Sequence, residues 1–189
     1  MALPGSDRAQ RNSRVLSDLY EEYYDRVARY TATRIGNLDL AQDLAGEVFL
    51  RAVESLGDIE RRGVPPQTWI FRVAHNLVVD HDRRNALGQS VPLEEAIASV
   101  ATLGPHGEME QKLAMQAVYQ AMEQLYPAQR EVVSLRFMGE LSSEETGVIM
   151  GRTSGAVREL QRTALRALWH FMIEQPQSEG AQTPEEHDG

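Results

Sequence analysis

The chain has 189 residues, of which 19 are Lys or Arg, 28 are Asp or Glu and none is Cys, for a formal net charge of -9. Without thiols there is no disulfide framework, thiolate metal centre or cysteine nucleophile, and a reducing compartment is the natural home. No run reaches the roughly 18 to 20 uninterrupted apolar residues of a membrane helix, and Met1 to Arg14 has no apolar signal core, so the composition predicts a soluble cytoplasmic protein without membrane insertion.

An acidic total argues against nucleic acid as a partner until it is divided along the chain. Residues 91–126 carry -4 and residues 171–189 carry -5, while the remainder sums to zero. Of the basic residues, 18 are Arg and one is Lys112. Genome base composition accounts for most of that bias, although Arg also suits bidentate contacts with phosphates and base edges.

Helical periodicity dominates and no alternating β-branched run is present, which predicts an all-α protein. The first helix is expected over Ser17 to Ile35, with Leu16, Leu19, Tyr20, Tyr23, Val27 and Tyr30 on one stripe and Gly36-Asn37 closing it. A second is expected from Asp39, which forms a capping-box pattern with Gln42, and ends at Gly57. Asp58 to Pro66 reads as a loop containing Arg61-Arg62-Gly63. Pro65-Pro66 starts a third helix that turns Trp69, Val73 and Leu77 inward and runs to about Arg84.

Periodicity fails between Asn85 and about Glu110, where Gly88, Pro92, Gly104, Pro105 and Gly107 give linker composition, with at most a short helix around Leu93 to Val100. It resumes from Met109 to Leu125 and from Gln129 to Gly139. Residues 173–189 lack apolar patterning and read as a disordered acidic tail. The expected architecture is two small helical bundles, residues 13–86 and 111–172, joined by a flexible linker at 87–110.

The most informative local stretch runs from Leu141 to Arg158. Ser142 caps a short helix with Glu145 three positions later, Gly151 supplies a turn, and Thr153 caps a second helix from Ser154. That is a helix-turn-helix, the second module's reading head. Val157, Leu160, Ala164, Leu168 and Phe171 commit one face to the bundle and leave Arg158, Glu159, Gln161, Arg162 and Arg166 outside, where Arg and Gln can read base edges. A plain helical hairpin with a solvated basic face is the competing reading.

With these modules in this order, the chain resembles the extracytoplasmic-function, or group IV, sigma factors of the sigma-70 family of bacterial RNA polymerase. Asp43-Leu44-Ala45-Gly46-Glu47-Val48-Phe49-Leu50-Arg51 resembles the family's core-binding stretch, and Trp69 to Arg84 its promoter-melting helix. Leu125 to Val132 with the helix-turn-helix resembles its second domain. The resemblance implies binding of core polymerase through Asp43, Glu47, Phe49 and Arg51. It implies capture of a melted minus-ten strand by Arg61, Arg62, Arg72, Asn76, Arg83 and Arg84. It implies reading of the minus-thirty-five element by Arg152, Thr153, Ser154, Arg158, Glu159, Gln161 and Arg162. It further implies an anti-sigma partner. No nucleophile–base pair, glycine-rich phosphate loop or cofactor motif is visible, so no catalysis of the chain's own and no cofactor are expected. Glu159, Leu160 and Thr163 depart from the family's usual Ser, Arg and Arg, which alters the bound sequence or weakens phosphate contacts.

Two other readings compete. His75, Asp80, His81 and Asp82 have the residue types of a metal-dependent phosphohydrolase, and an ordinary helix-turn-helix regulator with an N-terminal dimerisation or effector bundle would explain the second module alone.

Overall fold

A computed structural model describes residues 4–85 and 117–173, all helical apart from short turns. The expected linker and tail lie outside the described residues. Helix α1 (Pro4–Ile35) begins well before Ser17, because no proline or glycine between Gly5 and Ser17 breaks a helix. It buries Leu19, Tyr23, Val27 and Tyr30, whereas Tyr20, expected on the same stripe, is 46% exposed.

Helix α2 (Leu38–Arg62) is capped by Asn37, not Asp39: the Leu40 amide donates to Asn37 Oδ1 at 3.0 Å. Gly57 does not end it. One glycine costs a helix only about 1 kcal/mol, and the chain continues to Gly63, whose φ of 62° supplies the left-handed residue that stops it. Most of the expected loop is therefore helix, and Arg61 and Arg62 belong to the last turn of α2. Helix α3 (Pro66–Asn85) buries Ile70, Phe71, Ala74, Leu77 and Val78, with Trp69 and Val73 packed at the margin of that core. Thr31 is fully buried with its hydroxyl 3.0 Å from the Ala41 carbonyl, tying α1 to α2.

Gly46 lies inside α2, and a Cβ added to it would meet nothing within 4 Å, so no packing requires a glycine there. Gly46→Ala is expected to raise stability by about 0.5 to 1 kcal/mol, visible as a higher thermal midpoint. An unchanged or lower midpoint would contradict the helix through this position.

In the second module, helical residues 117–123 (α4) lead to α5 (Pro127–Val133), which widens into a π turn at Ser134–Met138. Helices α6 (Ser143–Met150) and α7 (Ser154–Ile173) follow. Met122, Leu125, Val132, Val157, Ala164 and Leu168 form its core. Arg130 closes the end of α4, its Nε donating to the Met122 carbonyl at 3.0 Å.

The two bundles also touch each other. Leu135, Leu141 and Ile149 of the second join the core of the first beside Tyr30 and Phe71, and Tyr119 is buried against Ala32 and Ala41. Gly139 makes this approach possible, since a Cβ there would fall 2.9 Å from the Phe71 ring and 2.7 Å from the Leu135 carbonyl oxygen.

Candidate nucleic-acid and polymerase interfaces

Three surfaces collect the residues singled out from the sequence. On α2, Asp43 and Arg51 are exposed, and Arg51 Nη2 donates to Glu47 Oε1 at 2.6 Å across one helical turn. Both partners are almost half exposed, so this pair contributes only about 0.3 to 0.5 kcal/mol to the fold. Phe49 does not reach this surface. It is 7% exposed and sits under Tyr20 and Tyr24, with ring centroids at 5.1 and 5.9 Å. The period that exposes Glu47 and Arg51 turns the intervening Val48 and Phe49 inward. What stands out instead is Leu50, 67% exposed, with Val53 beside it on the same face.

On α3, Arg72 and Asn76 are exposed one turn apart. Arg83 pairs with Asp80 at 3.0 Å, and Arg84 Nε donates to the Asp80 carbonyl at 3.1 Å, both on the surface near the end of the helix. Arg61 and Arg62 lie at the opposite end of the connection, immediately before Gly63 and the start of α3.

The helix-turn-helix forms as its spacing requires. The Glu145 amide donates to Ser142 Oγ at 3.1 Å, and the Ser142 amide donates to Glu145 Oε2 at 2.8 Å. Gly151 turns the chain at φ 65°, and Thr153 Oγ1 accepts from the Ala156 amide at 3.2 Å to cap α7. Burial would raise the Glu145 carboxyl, but the Ser142 amide and the side chains of Gln67, Ser142 and Thr68 bring it below the usual carboxylate range. Arg152, Thr153, Arg158, Glu159 and Arg162 are exposed, and Ser154 is half-buried at the first turn.

Two of the reading cations, Arg158 and Arg162, already have an anionic neighbour. Arg162 grips Glu159 through two hydrogen bonds of 2.9 and 2.5 Å, which hold the Glu159 carboxyl below its usual range. Arg158 lies 3.7 Å from Glu144 and 3.5 Å from Ser143 Oγ. Gln161 is turned toward the protein: its side-chain oxygen accepts from Arg136 Nε at 2.9 Å, so it serves the module's packing in this state rather than a free reading face.

The residues missed in the sequence are those between the modules. Glu131 is 4% exposed; its Oε1 accepts from Tyr30 at 2.8 Å and faces His75 Nδ1 at 2.9 Å, and its Oε2 accepts from Arg34. Burial first, and Arg34 second, push the His75 imidazole below its ordinary value. A carboxylate one turn before buried Leu135 was the available signal. His75 is thereby committed to Glu131 and Asp80 to Arg83, and among the described residues no three His, Asp or Glu side chains converge as a metal site.

Residues 19–87 match the Sigma-70 region 2 family and residues 121–170 the Sigma-70, region 4 family. The chain is 36% identical over 151 residues to the ECF RNA polymerase sigma factor BldN of Streptomyces coelicolor, covering 79% of this chain and 57% of that protein. It is 30% identical over 158 residues to SigD of Mycobacterium tuberculosis, covering 81% and 74%. Among solved structures, CnrH in complex with the cytosolic domain of CnrY matches with a TM-score of 0.65 at 19% identity, covering 89% of this chain and 96% of that one. The sigma factor RpoE in complex with the anti-sigma factor NepR from Bartonella quintana matches with a TM-score of 0.66 at 18% identity, covering 85% and 98%. At these identities the structural likeness is one of fold. The chain is therefore a sigma-70 family protein that carries regions 2 and 4, a class of transcription initiation factors. Within that class it belongs to the ECF RNA polymerase sigma factors. No helix among the described residues is long and apolar enough to cross a membrane.

Proposed function

We propose that this chain directs bacterial RNA polymerase to promoters from the cytoplasm, docking on core polymerase through α2, holding a melted minus-ten strand along α3 and reading a minus-thirty-five element with α7. The observation that carries this reading is α7 itself: a capped helix N-terminus preceded by a tight turn, with Arg158, Glu159 and Arg162 outside and Val157, Ala164 and Leu168 locked inside. Arg158 would read a guanine edge or grip phosphate, and Glu159 is an acceptor suited to a cytosine amine. Arg72 and Asn76, with Arg61, Arg62, Arg83 and Arg84 flanking them, supply the polar edges and cations an unstacked strand needs.

For core polymerase, the support is a mixed face: Asp43, Glu47 and Arg51 around the exposed apolar pair Leu50 and Val53. An apolar centre rimmed by charge is how protein interfaces divide affinity from orientation. An anti-sigma partner is part of the same proposal, supported by the fold shared with RpoE bound to NepR.

Reconstitution is the test. Purified chain added to core RNA polymerase is expected to co-elute with it and to give promoter-specific transcripts from genomic fragments; the absence of both would sink the reading. Leu50→Asp is expected to weaken core binding by about 10- to 100-fold, the usual cost of an interface anchor, without altering the helical circular dichroism of the chain. Full affinity in that variant would remove α2 from the docking face.

A further inference from the structure

We propose that Glu159 and Arg162 read one G·C base pair of the minus-thirty-five element as a unit, the carboxylate accepting from the cytosine amine and the guanidinium donating to the guanine paired with it. The proposal rests on the sigma-factor reading above and deepens it, from a helix in a groove to one base pair and the two side chains that select it.

Little else at the start of α7 is free to read bases. Over its first three turns, the long polar side chains that stand exposed are Arg158, Glu159 and Arg162. Gln161 is withdrawn by Arg136 Nε at 2.9 Å, and Arg136 is itself anchored to the Leu141 carbonyl. Leu160 and Thr163 are half-buried, and the Thr163 hydroxyl donates to the Leu160 carbonyl at 2.9 Å. Arg158 leans the other way, toward Glu144 and Ser143 of α6. Glu159 and Arg162 are left as neighbours across one helical turn, hydrogen-bonded to each other and to no other side chain among the described residues.

The way they join fixes what each still offers. Arg162 holds both oxygens of Glu159 with one side of its guanidinium, Nε at 2.9 Å and Nη2 at 2.5 Å. The end of the planar fork keeps a hydrogen on each of Nη1 and Nη2, the two donors that match O6 and N7 of guanine. Each carboxylate oxygen keeps a lone pair for a second donor, and the donor beside guanine O6 in the major groove is the N4 amine of the paired cytosine. Glu159 Oε1 lies next to Arg162 Nη2, so the order acceptor, donor, donor across the two side chains answers the order donor, acceptor, acceptor across the edge of one G·C pair. An A·T pair, with its amine between two acceptors, does not fit that order.

The electrostatics favour the same assignment. A lone carboxylate entering a groove between phosphates is repelled, whereas Glu159 enters gripped by Arg162, with Arg166 one turn beyond, and two cations and one anion leave the group net positive. The fold gives no other reason for the pair: both side chains are half exposed or more, and ion pairs so placed add little to stability. Held together in advance, two long side chains lose less freedom on docking than two independent ones.

A promoter library with the minus-thirty-five element randomised tests this, transcribed by holoenzyme reconstituted from the full chain and core polymerase and scored by sequencing. The parent is expected to prefer G·C at one position, and Glu159→Ala and Arg162→Ala are each expected to reduce that preference by about tenfold or more, within the range a bidentate base contact supplies. The double variant is expected to be no worse than Arg162→Ala alone, because the two residues act as one reader. Arg158→Ala is expected to alter a different position. Losses at separate positions, or additive losses in the double variant, would show two independent contacts and overturn the unit. A Glu159→Ala chain that keeps every base preference and binds all sequences more tightly would reduce the carboxylate to a repeller of phosphates, which also overturns it. A parent holoenzyme without promoter-directed transcripts brings down the sigma-factor reading and this proposal with it, whereas transcripts from the parent with unchanged preferences in the variants overturn this proposal alone.

Discussion

Arg158→Ala is expected to lower initiation at a promoter carrying the cognate minus-thirty-five element by about 10- to 100-fold, the discrimination one well-placed Arg supplies at a base edge, while affinity for core polymerase stays unchanged. Arg158 is exposed in the first turns of α7, beyond the Thr153 cap, where a recognition helix meets the groove. Its neighbours in the free chain, Glu144 and Ser143, lie at 3.7 and 3.5 Å and are themselves solvent-facing, so DNA displaces weak contacts. The fold does not depend on the residue, and thermal unfolding of the variant should match the parent. Footprinting of the variant holoenzyme decides the matter: retained protection at the minus-thirty-five element would take α7 out of the groove.

Gly147→Val is expected to be the most damaging single change in the helix-turn-helix, destabilising region 4 by about 2 to 3 kcal/mol as overpacking at a rigid contact does. A Cβ at Gly147 would lie 2.5 Å from the Arg152 carbonyl oxygen, a backbone atom with no rotamer in which to retreat. That carbonyl sits where it does because the Arg152 amide donates to the Gly147 carbonyl at 2.8 Å, folding the turn back on α6. Valine adds a branched side chain to the collision. The measurement is a thermal melt of the full chain, with loss of minus-thirty-five protection as the functional companion; an unaltered melt would mean that the turn is looser than 2.5 Å implies.

The helical elements and the reading head are legible because their signals are local. Ser142 with Glu145, Gly151 and Thr153 are capping and turn residues whose chemistry acts within four positions, and each takes its expected role. Gly57 misleads because a glycine is only a weak breaker; the stop belongs to Gly63, where the backbone needs the left-handed region. Phe49 points to the polymerase face by its place in a motif, while its position next to Val48 on the inward side of α2 puts it under Tyr20 and Tyr24. Gln161 reads as an outward contact by periodicity, and Arg136, distant by 25 residues, claims it. The contact between the modules is illegible for the same reason on a larger scale. Tyr30 and Glu131 are separated by 101 positions, and nothing in a charge or hydropathy pattern says that an inward Glu in one module answers an inward Tyr in another.

Glu145 divides its two carboxylate oxygens between tasks. Oε2 takes the Ser142 amide within region 4, and Oε1 takes the side chains of Gln67 and Thr68 from region 2. Parting the modules would cost Glu145 only the second set, and the cap that starts α6 would survive. The helix-turn-helix is therefore capped from within region 4 and folded before it meets DNA, so that the entropy of building it is already spent and none is charged to promoter binding.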